Sequence, residues 1–99
     1  MNRAVRDFPS SSVIVPTFDR LEDLQQVVRA IVGEVSGLSS PCEIVVVDDG
    51  SSDGTAEWLD SHASDIGLKV VHQENAGPAL ARNRGVKAST GEIILFLDE

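Results

Sequence analysis

Four short apolar runs alternate with three amphipathic stretches along the chain. Ser12-Val13-Ile14-Val15-Pro16-Thr17, Cys42 to Val47, Leu68-Lys69-Val70-Val71-His72 and Glu92 to Leu97 are rich in β-branched residues and predict strands. Leu21, Leu24, Val28, Ile31 and Val35 recur at the three- and four-residue spacing of one helical face. Asp19 ahead of them, with Glu22 three residues on, predicts an N-cap and capping box, and Gly37 a stop. Ala56, Leu59, Ala63 and Ile66 mark a second helix that starts near Ser52 or Asp53 and breaks at Gly67. Pro78 suits the first turn of a third helix, where Ala81, Gly85 and Ala88 form a small-residue stripe able to lie close to a sheet. The mixed composition of Leu68 to His72 predicts an edge strand. Glu43 to Val47 and Ile93 to Leu97 read as buried strands. Pro16 lacks an N–H and predicts the end of ladder pairing in the first strand. Residues 1–11 read as a flexible leader and 12–99 as the folded unit.

Alternation of strand and helix implies an α/β fold. We expect a Rossmann-like three-layer α/β/α sandwich with right-handed crossovers and a four-stranded parallel sheet of order 3-2-1-4. Pro16-Thr17, Asp48-Asp49 and Asp98 would then converge on the carboxyl rim of the sheet, where open α/β sheets bind ligands. Adjacent side chains on a strand point to opposite faces, so Asp48 and Asp49 face one way each unless the strand ends there. Taken alone, this pair in front of Gly50-Ser51-Ser52-Asp53-Gly54-Thr55 reads equally as capping and turn residues. The convergence of three strand ends is what points to a site.

Composition narrows the ligand. The 99 residues carry a formal charge of -8, which disfavours nucleic acid or an anionic membrane as the main partner. A nucleotide stays open, because a metal ion and backbone N–H groups can meet its phosphates. Cys42 is the single cysteine, so neither an internal disulfide nor a cysteine metal site is expected, and we expect a cytoplasmic location. No apolar run reaches the roughly 18 residues of a membrane span. His62 and His72 lack metal-spaced partners and read as solvated and structural, and Trp58 as partial packing. Acids beside an N–H-rich turn suit Mg²⁺ or Mn²⁺ carrying a phosphate. Arg82 suits a diphosphate, and reads equally as a solvent-facing helix residue. Neither a dinucleotide fingerprint nor a P-loop is present.

Four segments together carry a resemblance. Val13-Ile14-Val15-Pro16-Thr17-Phe18-Asp19, Glu43 to Thr55, Asn75 to Gly85 and Gly91 to Asp98 resemble, in order and spacing, the amino-terminal nucleotide-sugar-binding part of the family 2 glycosyltransferases, of type A glycosyltransferase fold. The resemblance implies transfer of a sugar from a nucleotide-diphosphate-sugar donor to an acceptor hydroxyl. It implies that Pro16 and Thr17 contact the nucleotide, that Asp49 binds the base with Asp48 supporting the turn, and that Arg82 lies near base or diphosphate. Asp98 would be the first acid of the Asp-X-Asp motif and a ligand of Mg²⁺ or Mn²⁺. The second acid and the catalytic base would follow residue 99, so no catalytic residue is expected within the chain, and the piece alone is expected to be inactive. Asp19 stands where the family often has Asn.

The chain stops after an apolar run, so we expect a truncated domain whose 93–97 edge invites self-association. Membrane association of a longer parent stays open. Two alternatives stand beside this reading. One is a non-catalytic nucleotide-binding module. The other is a phospho-receiver domain, which would need its acid pair after the first strand rather than the second.

Overall fold

The computed structural model describes residues 9–98, which form a four-stranded parallel sheet with helices on both faces. Its elements are β1 (Ser11–Thr17), α1 (Leu21–Val35), β2 (Cys42–Asp48), α2 (Thr55–Ile66), β3 (Leu68–His72), α3 (Pro78–Ala88) and β4 (Ile93–Phe96). The strand order is β3-β2-β1-β4, as the alternation predicts. A receiver domain opens its sheet in the order 2-1-3, so this topology removes that alternative. Most of the expected leader lies outside the described residues. Ser11 already pairs with Cys42, and Ser10 accepts a hydrogen bond from the Ile93 N–H at 3.0 Å.

The two-residue period of the strands sorts the core into two layers. Val13 and Val15 of β1 and Ile44 and Val46 of β2 meet Leu24, Val28 and Ile31 of α1 and Leu59 of α2. Ile14, Val45 and Val47 face the other way and meet Ala81 of α3. The small-residue stripe is what brings α3 so close. A Cβ on Gly85 would overlap Ile14 Cγ2. Leu80 and Val86, off the stripe, are exposed.

Three expectations change in detail. Asp19 does not cap α1. It has a φ of 50°, and its Oδ1 accepts from the Ser52 N–H at 2.7 Å while its own N–H donates to Ser51 Oγ at 2.9 Å. The cap comes from Asp53, whose Oδ2 accepts from the Leu21 N–H at 3.1 Å and whose Oδ1 accepts from the Thr55 N–H at 3.1 Å. One aspartate thus serves the starts of both α1 and α2. Pro16 ends pairing on one side only. Even-numbered residues of β1 direct their backbone groups toward β4, as the bond from Leu97 N–H to Ile14 O at 2.9 Å shows. The missing N–H of Pro16 falls past the last β4 pair, while the β2 ladder continues to Thr17 and Asp48. Finally, β4 is not the buried strand that its apolar run predicts, although its place at an uncovered edge is the expected one. It is an edge strand, and Ile93, Leu95 and Phe96 are exposed because no described element covers them. The edge position expected for β3 holds.

A polar knot closes the opposite end of the α3 layer. Glu43 Oε2 accepts from Ser12 Oγ and from the Thr90 N–H, each at 2.6 Å, and Oε1 lies 3.2 Å from Lys69 Nζ. Ser12 Oγ in turn accepts from the Gly91 N–H at 2.9 Å. A side chain at Gly91 would press on the Ser11 backbone carbon at 2.5 Å. Burial alone would raise the Glu43 carboxyl, but the bonds from Ser12, Thr90 and Lys69 outweigh it and lower it from 4.5 to about 2. A lowered carboxylate stabilises the fold above its unfolded pKa and loses that contribution as pH falls through the folded value. Glu43→Gln is therefore expected to cost about 1–3 kcal/mol near neutral pH, a cost that shrinks steadily as pH falls from the ordinary carboxylate value through the folded one. Urea unfolding of both proteins across that range checks it. A constant difference between them at every pH would contradict the assignment.

Candidate functional site

The pleat of β2 sends its two terminal acids to opposite faces. Asp48 follows Ile44 and Val46 onto the α1–α2 face, 2% exposed. Its Oδ1 accepts from the Ser51 N–H at 3.0 Å, and its Oδ2 lies 3.0 Å from His72 Nδ1. It holds the turn and, unlike the other residues singled out for the nucleotide, does not line the cleft described below. Asp49 points to the α3 face and is 4% exposed. Its Oδ1 accepts from Gln73 Nε2 and from the Ala76 N–H, both at 2.8 Å, and its Oδ2 accepts from the Gly77 N–H at 3.0 Å. Asn75 Nδ2 adds a bond to the Asp49 backbone oxygen at 3.1 Å. Burial pushes the Asp49 carboxyl up, but the bonds from Gln73, Ala76 and Gly77 prevail and hold it below the usual carboxylate range. The turn between these layers must be glycine. Gly50 has a φ of +79°, and a Cβ there would stand 2.7 Å from the Asn75 nitrogen.

Around Asp49 lies an open cleft of about 520 Å³ at the carboxyl ends of the strands. Pro16, Thr17, Asp49, Arg82 and Asp98 all line it, so five of the six residues singled out from the sequence meet in one place. Thr17 is buried, at 3% exposure. The Arg82 guanidinium lies 4.0 Å from Asp98 Oδ1, and both side chains are well exposed. An exposed pair at that distance contributes little to stability and can reorganise around a ligand. Phe18, Arg20 and Asn75 also line the cleft and were not singled out. Phe18 and Asn75 stand inside the motifs quoted above, beside Thr17 and ahead of Gly77, which was the available signal. Arg20 reads from the sequence as helix-opening, and only the turn at Asp19 brings it to the mouth.

No group of three or more His, Cys, Asp or Glu able to hold a metal exists among the described residues. A single exposed carboxylate such as Asp98 still fits a hard divalent ion, which takes one or two carboxylates and completes its shell with phosphates and water. No helix among the described residues is long and apolar enough to cross a membrane.

A parallel sheet that reverses its winding beside β1, with an acid-and-arginine cleft on its carboxyl rim, is an α/β domain of the type A glycosyltransferase fold. Residues 12–99 match the glycosyl transferase family 2 model, and the chain belongs to that family. An uncharacterized glycosyltransferase of Rickettsia conorii is 33% identical over 98 residues, which is 99% of this chain and 16% of that protein. Staphylococcus aureus TarS, solved with UDP-GlcNAc, is 32% identical with a TM-score of 0.77 over 90% of this chain and 26% of that one. Glucosyl-3-phosphoglycerate synthase of Mycobacterium tuberculosis, solved with Mn²⁺, UDP and glucosyl-3-phosphoglycerate, is 28% identical with a TM-score of 0.74 over 96% of this chain and 35% of that one. The chain therefore spans about a third or less of the length of each of these relatives.

Proposed function

We propose that this chain forms the donor-binding part of a glycosyltransferase that moves a sugar from a nucleotide diphosphate to an acceptor hydroxyl. The observation that carries the reading is the meeting of Asp49, Arg82 and Asp98 in one cleft at the strand ends. Asp49 is held ionised and acceptor-only. Three short bonds occupy most of its carboxylate, and the fourth lone-pair site meets only the long 3.5 Å contact from Asn75 Nδ2, which an N–H of a base such as uracil would displace. Pro16 and Thr17 form the wall beside it, with Thr17 meeting the nucleotide through its backbone. The planar Arg82 fork pairs with a diphosphate. Asp98 would hold Mg²⁺ or Mn²⁺, which when bound supplies neutralising charge to the leaving diphosphate. Asp48 acts from the opposite face by fixing the turn that carries Asp49.

Calorimetric titration with UDP and Mn²⁺ tests this assignment. Arg82→Ala is expected to weaken UDP about tenfold, the scale of a charge-assisted bond, and to leave uridine unchanged. Equal UDP affinity in the two proteins would remove Arg82 from the diphosphate site. Silence with UDP in the parent chain would remove the reading itself.

A further inference from the structure

His72 sits between two carboxylates contributed by different elements. On one side Nδ1 lies 3.0 Å from Asp48 Oδ2, and on the other Nε2 lies 2.8 Å from Asp60 Oδ1 of α2. Leu68 and Val70 pack on the α1–α2 face, so the period of two places His72 there as well, directly opposite Asp48 in the β2–β3 register. Both ring nitrogens face acceptors. A neutral imidazole carries one N–H and can serve one of them, whereas an imidazolium serves both. The ring is accordingly raised above its ordinary value, chiefly by its bond to Asp60, against the opposing effect of burial, with Asp48 adding to the rise. Asp53 is engaged with Leu21 and Thr55, Lys69 with Glu43 and Ala88, and α3, with Arg82, Arg84 and Lys87, lies across the sheet.

What the bridge holds matters for the cleft. Asp48 receives the Ser51 N–H, and so shapes the turn that follows Asp49. Gln73, the residue after His72, donates its N–H to Asp48 O at 3.0 Å and its side-chain amide to Asp49. The Ala76 and Gly77 N–H groups close on the same carboxylate. One chain of bonds therefore runs from Asp60 through His72 and Asp48 to the Asp49 wall of the cleft. We propose that His72 is a positioning residue whose proton clamps the ends of β2 and β3 to the middle of α2 and thereby sets donor affinity as a function of pH. The affinity half of this proposal rests on the donor-binding reading above; the clamp does not. The sign follows from the bridge: the clamp is complete when the ring is charged and is lost as pH rises through its folded pKa.

Two measurements decide it. Amide resonances of Gly50, Ser51, Ala76 and Gly77 are followed by NMR while the His72 ring is titrated from about pH 5 to about pH 9, the range over which a histidine loses its proton. They are expected to shift together with the ring. In Asp60→Asn the common midpoint is expected to move to lower pH, and in His72→Gln the pH-dependent shift is expected to vanish. In parallel, UDP affinity in the unsubstituted chain is expected to fall about fivefold over the upper half of that range, the scale of one lost charge-assisted bond, and to become flat in His72→Gln. Amides that stay fixed while the ring titrates would overturn the clamp. A fall in affinity that persists in His72→Gln would overturn the link to the donor. Failure of UDP to bind at every pH would instead overturn the donor-site reading, with the amide titration still deciding the clamp.

Discussion

Asp49→Ala is expected to abolish calorimetrically measurable UDP binding and to destabilise the fold by about 2–4 kcal/mol. The reason is that one carboxylate does two things. It accepts from Gln73, Ala76 and Gly77, and it faces the cleft. Without it, two backbone N–H groups at the entry to α3 lose their acceptor in a partly buried place, where an unmet donor is expensive. Asp49→Asn separates the two roles. Its amide keeps one acceptor oxygen but turns an NH₂ toward a backbone donor, so the loop is strained while the shape is retained. Acid unfolding adds a signature. Because the Asp49 carboxyl is held low, its stabilisation is present above the ordinary carboxylate pKa and disappears as pH falls through the folded value. That component is expected to be absent in Asp49→Asn. A destabilised Asp49→Ala that still binds UDP as tightly as the parent chain would make Asp49 a loop fastener and nothing more.

The second large effect is expected at Gly85. In an exposed helix, Gly→Ala gains up to about 1 kcal/mol of helix propensity. Here the new methyl would overlap Ile14 Cγ2, on a fully buried β-branched side chain that cannot swing away. We expect a net loss of about 1–3 kcal/mol. Ala81 and Arg82 ride on α3, so UDP affinity should fall with stability as the helix lifts from the sheet. The pair Ile14→Ala and Gly85→Ala checks the cause. Combined, they are expected to cost less than the sum of the single changes, because the first makes room for the second. Strict additivity in denaturant titrations would show that Ile14 is not the obstacle.

Much of this architecture could be read from patterns with a short range. The 3.6-residue period of α1, the apolar runs and the small-residue face of α3 are properties of neighbouring positions, and the strand order follows from connection rules. The meeting of Thr17, Asp49 and Asp98 follows from the same rules, since parallel strands deliver their ends to one rim, whereas Arg82 comes to it on α3, where only the resemblance pointed. Long-range pairings were out of reach. Asp19 has the right type and spacing for a cap, yet its backbone turns left-handed and its carboxylate goes to Ser52. The true cap, Asp53, is 32 residues from the helix it caps. His72 reads as structural from the sequence, but its partners lie on β2 and α2, and no local spacing announces them. The exposure of β4 is not recorded in its own composition and is announced only by its place at the end of the expected strand order.

The exchanged bonds between Asp19 and Ser52, Asp19 and Ser51, and Asp53 and Leu21 lace the loop after β1 to the loop after β2. The two connections thus behave as one fabric, although 30 residues of sequence intervene. An insertion tolerated by one loop in isolation would unlace the other. A library built to vary either loop would need to diversify residues 18–20 and 51–53 as a single block.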